Sequence, residues 1–206
     1  MRRHAGRGQY DRETIDAILD AGSVAHVGLV ADGQPFVIPM LYAREETEIY
    51  LHGSSLSRLL GSVAEGVSMC LTVTLVDGLV LARSAMHHSV NYRSVVVLGD
   101  GYLIDDPERK HDALRRIVEQ VVPGRSADVR GPNAKELAAT EVVALAIREA
   151  SAKIRTGPPV DARADYDLPV WAGVVPISTT PGEPVPDDRC SEPLPDYVRT
   201  FAMAHA

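Results

Sequence analysis

Hydrophobic and polar positions change period several times along this chain, and each change predicts an element. Ile15, Ile18 and Leu19 fall on one face of a helix from Asp11 to Ala21, with Asp11 able to cap its start and Gly22 to end it. Val24–Ala31 and Pro35–Tyr42 then read as strands around Asp32-Gly33, a tight-turn pair that favours an antiparallel hairpin. A polar turn at Arg44–Thr47 leads to a third strand at Glu48–Leu51, and Ser57–Glu65 reads as a short helix stopping near Gly66. Val67–Val76 is β-forming, Asp77-Gly78 is a second hairpin signal, and Leu79–Ala85 returns.

A long strand follows at Tyr92–Ile104, with Gly99 or Gly101 able to host a bulge. Pro107–Val121 is helical: Ala113, Leu114, Ile117, Val118 and Val121 make its apolar stripe, and proline suits the first turn. A basic loop at Pro123–Arg130, a short helix at about Pro132–Ala139 and a last strand at Val142–Ala150 complete the regular part. Beyond Thr156 nine prolines crowd the chain, which predicts irregular structure. The expected fold is mainly β with inserted helices (α+β): an antiparallel, closed or nearly closed barrel, which removes exposed strand edges. A basic tail over 1–10, a barrel domain over 11–155 and a Pro-rich segment over 156–206 packing on the barrel or on a partner subunit are the expected divisions.

At 206 residues and 45% hydrophobic, the chain can fill one core. A formal charge of −7 argues against general binding to nucleic acid or anionic membrane, and no run reaches the roughly 20 apolar residues that span a bilayer. The basic start is followed by no apolar segment, so a signal peptide is not expected. Two cysteines give no disulfide framework. Together these predict a soluble, cytoplasmic protein.

Against that acidic background, local cations stand out. His52-Gly-Ser-Ser-Leu-Ser-Arg58 follows a strand and opens a helix, a pattern that gathers amides, hydroxyls and a guanidinium at one point and suits a phosphate. Arg58 in a first helical turn is disfavoured by the helix dipole, a cost that a bound anion offsets. Arg93-Ser94 enters a buried-looking strand, where the guanidinium needs either an internal acid or a ligand. Lys153 and Arg155 share one side of a strand end, either solvated or forming a cationic lip. The lone Trp171 is suited to packing or to stacking on an aromatic cofactor. His87 and His88 point to opposite faces in a strand and have no partner at metal-ligand spacing, so no metal is expected.

In this order, Gly33-x-Pro35 with Pro39-Met-x-Tyr42, Tyr50-Leu-His-Gly-Ser54 with Ser57-Arg58, Asp77–Ser84, Asn91-Tyr-Arg-Ser-Val95 and Trp171–Pro176 resemble the pyridoxamine-phosphate-oxidase-like superfamily of split β-barrel flavoproteins. The similarity is to its flavin-nucleotide-binding and nitroimidazole-reductase-like branch, from about Val24 to Pro176. The resemblance implies a homodimer with FMN at the subunit interface. The flavin ring would lie along Val37, Ile38, Pro39 and Met40, with His52 and Gly53 near the ring or ribityl chain. Ser57 and Arg58 would hold the phosphate, Ser94 would make a polar contact, and Trp171 would approach from the partner. Leu59 and Met40 stand where the vitamin B6 oxidase has lysines, so Arg93, Lys153 or Arg155 would have to replace those cations. True pyridoxamine phosphate oxidation is therefore not expected.

The leading expectation is an FMN-dependent oxidoreductase of a small molecule, with His52 as the candidate proton-transfer group because its pKa range suits the task. The alternative is a non-catalytic FMN- or haem-binding carrier or sensor, in which His52, His87 or His88 supplies an axial ligand. A deazaflavin could replace FMN, and an interaction protein with an empty barrel is the third reading.

Overall fold

The hairpin predicted around Asp32-Gly33 forms as expected and anchors the architecture. Asp32 (φ 51°) and Gly33 (φ 73°) are both left-handed, the geometry a two-residue turn between twisted strands requires. The structure is a computed structural model that describes residues 8–64 and 66–204. Its strands are β1 (Gly8–Gln9), β2 (Val24–Ala31), β3 (Gln34–Glu45), β4 (Glu48–Ser54), β5 (Ser68–Leu81), β6 (Ser89–Leu103), β7 (Thr140–Ala146), β8 (Glu149–Arg155) and β9 (Gly173–Pro176). The helices are α1 (Arg12–Ala21), α2 (Arg58–Ala64), α3 (Pro107–Val121), α4 (Arg125–Asp128), α5 (Ala134–Ala139) and α6 (Asp196–Ala204). The strands hydrogen-bond in the order β1-β8-β6-β7-β4-β3-β2-β5-β9, and β6 also pairs with β5. The fold is the expected antiparallel split barrel with inserted helices.

Two compact units are distinguished, and β5 and β6 run through both. One comprises 8–22, 72–96 and 150–178. In it α1 begins as its sequence predicts, with Asp11 Oδ1 accepting from the Thr14 amide at 2.8 Å, and it buries Ile15, Ile18 and Leu19. The second hairpin signal fails here. β5 runs straight through Asp77-Gly78, and Gly78 pairs with Pro176 of β9. A Cβ on Gly78 would lie 3.0 Å from both the Val175 carbonyl oxygen and Val174 Cγ1, so this glycine serves close strand approach and not a turn.

The other unit comprises 23–71, 97–149 and the chain from 179. β2 pairs with β3 from Val24↔Leu41 to Ala31↔Gln34, β3 with β4 from Tyr42↔Leu51, and β4 with β7 from Glu48↔Ala146 to Ser54↔Thr140. Directly opposed residues share a face. One face buries Tyr42, Ile49, Leu51, Val143 and Leu145. The opposite face carries Ala43, Tyr50, Val142 and Ala144, which pack with Ile104, Ala113 and Ile117 under α3. Asp106 caps α3 by accepting from the Arg109 amide at 2.7 Å.

Three further expectations need correction. The last strand does not run unbroken over 142–150: it is interrupted at Ile147-Arg148, which divides it into β7 and β8. The basic loop contains α4. The proline-rich end is not wholly irregular: β9 pairs with β5, and α6 forms where prolines stop, with Tyr197 packed against Gly124 and accepting from Arg125 at 2.9 Å. The predicted 1–10 tail falls for the most part, over 1–7, outside the described residues, as does Glu65 at the predicted end of α2.

Candidate functional site

The face of β3, β4 and β7 that packs under α3 is only partly covered. Ala113 and Ile117 close it at one end. Further along, Leu114, Val118 and Val121 of α3 stand opposite Leu41 and His52 across a cavity of about 490 Å³. That size lies in the range of small-molecule and cofactor sites. Val129 and Pro132, from the segment between α4 and α5, and Thr140 at the start of β7 complete the walls, while Arg115, Arg130, Glu136 and His111 bring charge and hydrogen-bonding capacity.

His52 is the unusual member. It sits in β4 opposite Val142 of β7, so two strands fix its backbone. Its Nδ1 is buried and finds no hydrogen-bond partner among the described residues. Burial lowers its pKa below the ordinary histidine value, which keeps the ring neutral near neutral pH. A neutral imidazole with an unsatisfied nitrogen is a good ligand for a metal centre and a poor proton donor.

The cations carry partners that can be exchanged. Arg130 forks onto Glu136 with two bonds of 2.7 Å, and Arg115 pairs with Asp112 at 2.6 Å. Glu136 has a second role: it accepts from the Asn133 amide at 2.8 Å, completing the capping box of α5. These two interactions, with Arg130 first, hold the Glu136 carboxyl down to about 2. His111 Nε2 lies against Gly131, where an added Cβ would come within 2.6 Å of it.

The phosphate cradle expected at 52–58 looks different from its sequence. The amides of Ser55, Leu56 and Ser57 donate to Ala139 O (3.1 Å), Ser54 Oγ (3.2 Å) and Ser54 O (2.8 Å), so the turn satisfies itself. The Arg58 side chain lies outside the described residues. Gly53 lies under Leu60, whose Cδ1 would be 3.1 Å from a Cβ there. Val37 and Pro39 are exposed on β3, with Ile38 and Met40 alternating between them and half-buried.

In the other unit, Arg93 takes the internal-acid option: its guanidinium grips Asp77 at 2.8 to 3.3 Å. Arg155 is buried, donating to Asn91 Oδ1 and, at 3.1 Å each, to the carbonyls of Gly157 and Pro158. Lys153 Nζ lies 5.7 Å from the Tyr92 ring centre, and Ser94 Oγ donates to Lys153 O at 3.5 Å. Trp171 is 67% exposed and packs on Gly173. His87 Nδ1 and His88 Nδ1 are both engaged by Ser84, at 2.7 Å to its hydroxyl and 3.0 Å to its carbonyl. His87, Asp161 and Asp165 come within metal-ligand reach of one another, but Asp161 is already held by Arg83 at 3.0 Å, and that cation occupies the place of an ion's charge.

A family model described as pyridoxamine 5'-phosphate oxidase matches residues 11–154. The chain belongs to this family. No curated protein matches the sequence. Among solved structures, a flavocytochrome of Azotobacter vinelandii is 45% identical with a TM-score of 0.92, over 98% of this chain and 94% of that one. The FAD and heme binding protein of Mycobacterium smegmatis is 38% identical with a TM-score of 0.90, over 95% of this chain and 97% of that one. A Bacteroides thetaiotaomicron structure associated with 5-nitroimidazole resistance, 22% identical with a TM-score of 0.61 over 71% of this chain and 86% of that one, shares the fold. The cavity beneath α3 was not foreseen from the sequence. Its one available signal was the histidine at 111 on the polar edge of an apolar helical stripe, followed by a basic loop.

Proposed function

We propose that this family member is a two-cofactor redox protein that binds a flavin and a haem. The observation that carries this reading is the near end-to-end similarity, at 45% and 38% identity, to two proteins that are each named for both kinds of cofactor. For the flavin, FAD is favoured over FMN because the Mycobacterium smegmatis protein is named for FAD. The self-satisfied turn at 54–57 also offers fewer free amides to a terminal phosphate than the sequence implied.

The residues present fit both groups. For the flavin, β2 and β3 offer an open apolar sheet face: Val24, Val30, Val37 and Leu41 are all exposed, and the pairings Val24↔Leu41, Gly28↔Val37 and Val30↔Pro35 put them on one side. Monomeric proteins rarely leave so many neighbouring apolar side chains to water. A second copy of the chain, seated there with the flavin ring against the Val37–Met40 backbone, would cover them. For the haem, the half-buried ring of His52, which burial keeps neutral, lines a largely apolar cavity. When bound, the two groups supply an exchange between two-electron and one-electron chemistry. The chain itself positions them and excludes water.

Purification from a host supplied with iron and flavin tests the reading. The expected protein is a dimer with a Soret band, releasing FAD on denaturation. A preparation that takes up neither added hemin nor added flavin would overturn it. Release of FMN alone would retain a flavoprotein and reverse the choice of nucleotide. Reduction of bound flavin by a nicotinamide donor would favour an oxidoreductase over a carrier.

A further inference from the structure

We infer that the cavity beneath α3 is the haem site itself, with His52 as the axial ligand and Arg115 and Arg130 receiving the two propionate carboxylates. This rests on the haem half of the reading above. Three independent features of the cavity converge on a flat apolar ring that carries a metal at its centre and acids at one edge.

The first is the ligand. An iron porphyrin needs a neutral nitrogen with an open lone pair, held rigidly. His52 lines the cavity, its imidazole is kept neutral by burial, and its backbone is held in β4 opposite Val142 of β7. The competing histidines are less suitable. His111 is on the cavity but its Nε2 is pressed against Gly131, and His87 and His88 are not among the residues that line it.

The second is the wall. Leu41, Leu114, Ile117, Val118 and Val121 line the cavity, and Val121 is 40% exposed even though it belongs to the apolar stripe of its helix. A stripe that turns towards an open space gains burial when a planar apolar ligand enters.

The third is the charge. Arg115 and Arg130 line the cavity and pair with Asp112 and Glu136, and all four side chains are more than two-fifths exposed. Exposed pairs of this kind are easily traded for another carboxylate. Glu136 is prepared for the exchange, since the Asn133 amide still satisfies it when Arg130 turns away.

Hemin titration of the purified haem-free protein, followed at the Soret band, tests the site. Wild type should bind with a histidine-ligated spectrum. His52→Ala should lose that spectrum and regain it on addition of imidazole, which shows that the pocket is folded and short of one ligand. Arg115→Gln and Arg130→Gln should each weaken hemin binding about tenfold, with little effect on hemin dimethyl ester, whose acids are blocked. His87→Ala and His88→Ala should leave the spectrum unchanged. Val118→Phe, which occupies the cavity without touching the ligand, should exclude hemin even if the His52 variant fails to accumulate. Failure of wild type to bind hemin overturns the haem half of the function proposed above and this site with it. Binding by wild type with an unaltered spectrum in His52→Ala, or undiminished uptake by Val118→Phe, overturns this site alone.

Discussion

Val118→Phe separates a true cavity from a packed helix–sheet seam by the sign of its effect on stability. Enlarging a side chain in a filled core costs about 1–3 kcal/mol, because neighbours must leave their rotamers. Val118 instead faces a space of about 490 Å³ shared with Leu41, His52 and Leu114. Phenylalanine adds four carbons, and at about 0.8 kcal/mol for each buried CH₂ the ceiling is about 3 kcal/mol. Loss of ring rotamers removes about 0.5–1 kcal/mol, and incomplete burial at this half-exposed position removes more, leaving about 1–2 kcal/mol of net stabilisation. For a chain of this size that corresponds to roughly 3–6 °C in Tm. Urea unfolding of the cofactor-free protein at fixed pH is the assay, with equal m-values required before midpoints are compared. Gly101→Ala supplies the contrast: its Cβ would lie 2.8 Å from both Met69 Cε and Val143 Cγ1 and 3.2 Å from Val63 Cγ1, so it should cost about 1–3 kcal/mol. If Val118→Phe destabilises as Gly101→Ala does, the space beneath α3 closes in solution and the cavity argument fails.

Other outcomes follow from the same geometry. Because burial depresses the His52 pKa, the unfolded chain takes up a proton that the folded chain resists. The stability associated with the neutral ring is therefore intact above about pH 6.5 and falls as pH drops below it. His52→Leu should flatten that acid-side decline, and identical pH profiles for the two proteins would contradict the buried ring. Asp106→Ala removes the cap of α3 and should cost about 1 kcal/mol in thermal melts, with Asp106→Ser close to wild type. Leu145→Ala empties a fully buried position in β7 and should cost about 2–5 kcal/mol; a smaller loss in urea unfolding would mean that the barrel wall collapses around the gap.

The elements that were legible in the sequence are those whose signal is local. Asp32-Gly33 adopts two left-handed residues whatever lies beyond it, and Asp11 and Asp106 satisfy amides three residues ahead. Where the deciding partner is distant in sequence, the local signal misleads. Asp77-Gly78 has turn chemistry, yet Asp77 is claimed by Arg93 and Gly78 by the β9 backbone, and neither partner is visible from the dipeptide. The interruption at Ile147-Arg148 has the opposite defect: the Ile147 amide donates to Thr47 O at 2.8 Å, so a distant loop breaks a strand whose own residues announce no break. The order of motifs was nonetheless enough to place the chain in its family.

The site divides along the same line. A helix that covers a sheet and a helix that roofs a ligand have the same apolar period, so Ala113, Leu114, Ile117, Val118 and Val121 read as one buried stripe. What separates them is how far the opposing surface extends. β4 and β7 rise to meet Ala113 and Ile117, while the far end of the helix passes over His52 and Thr140 with none of the described residues filling the space between. A stripe kept apolar beyond the reach of its own core leaves hydrophobic area exposed, a cost that a bound ring reverses. His52 carries a polar cost as well, a buried Nδ1 without a partner among the described residues. The uncovered stripe and the neutral ring of His52 line one cavity, and one ligand of the stated chemistry would cover the first and meet the second, which is why the space beneath α3 is better understood as a binding site than as a packing fault.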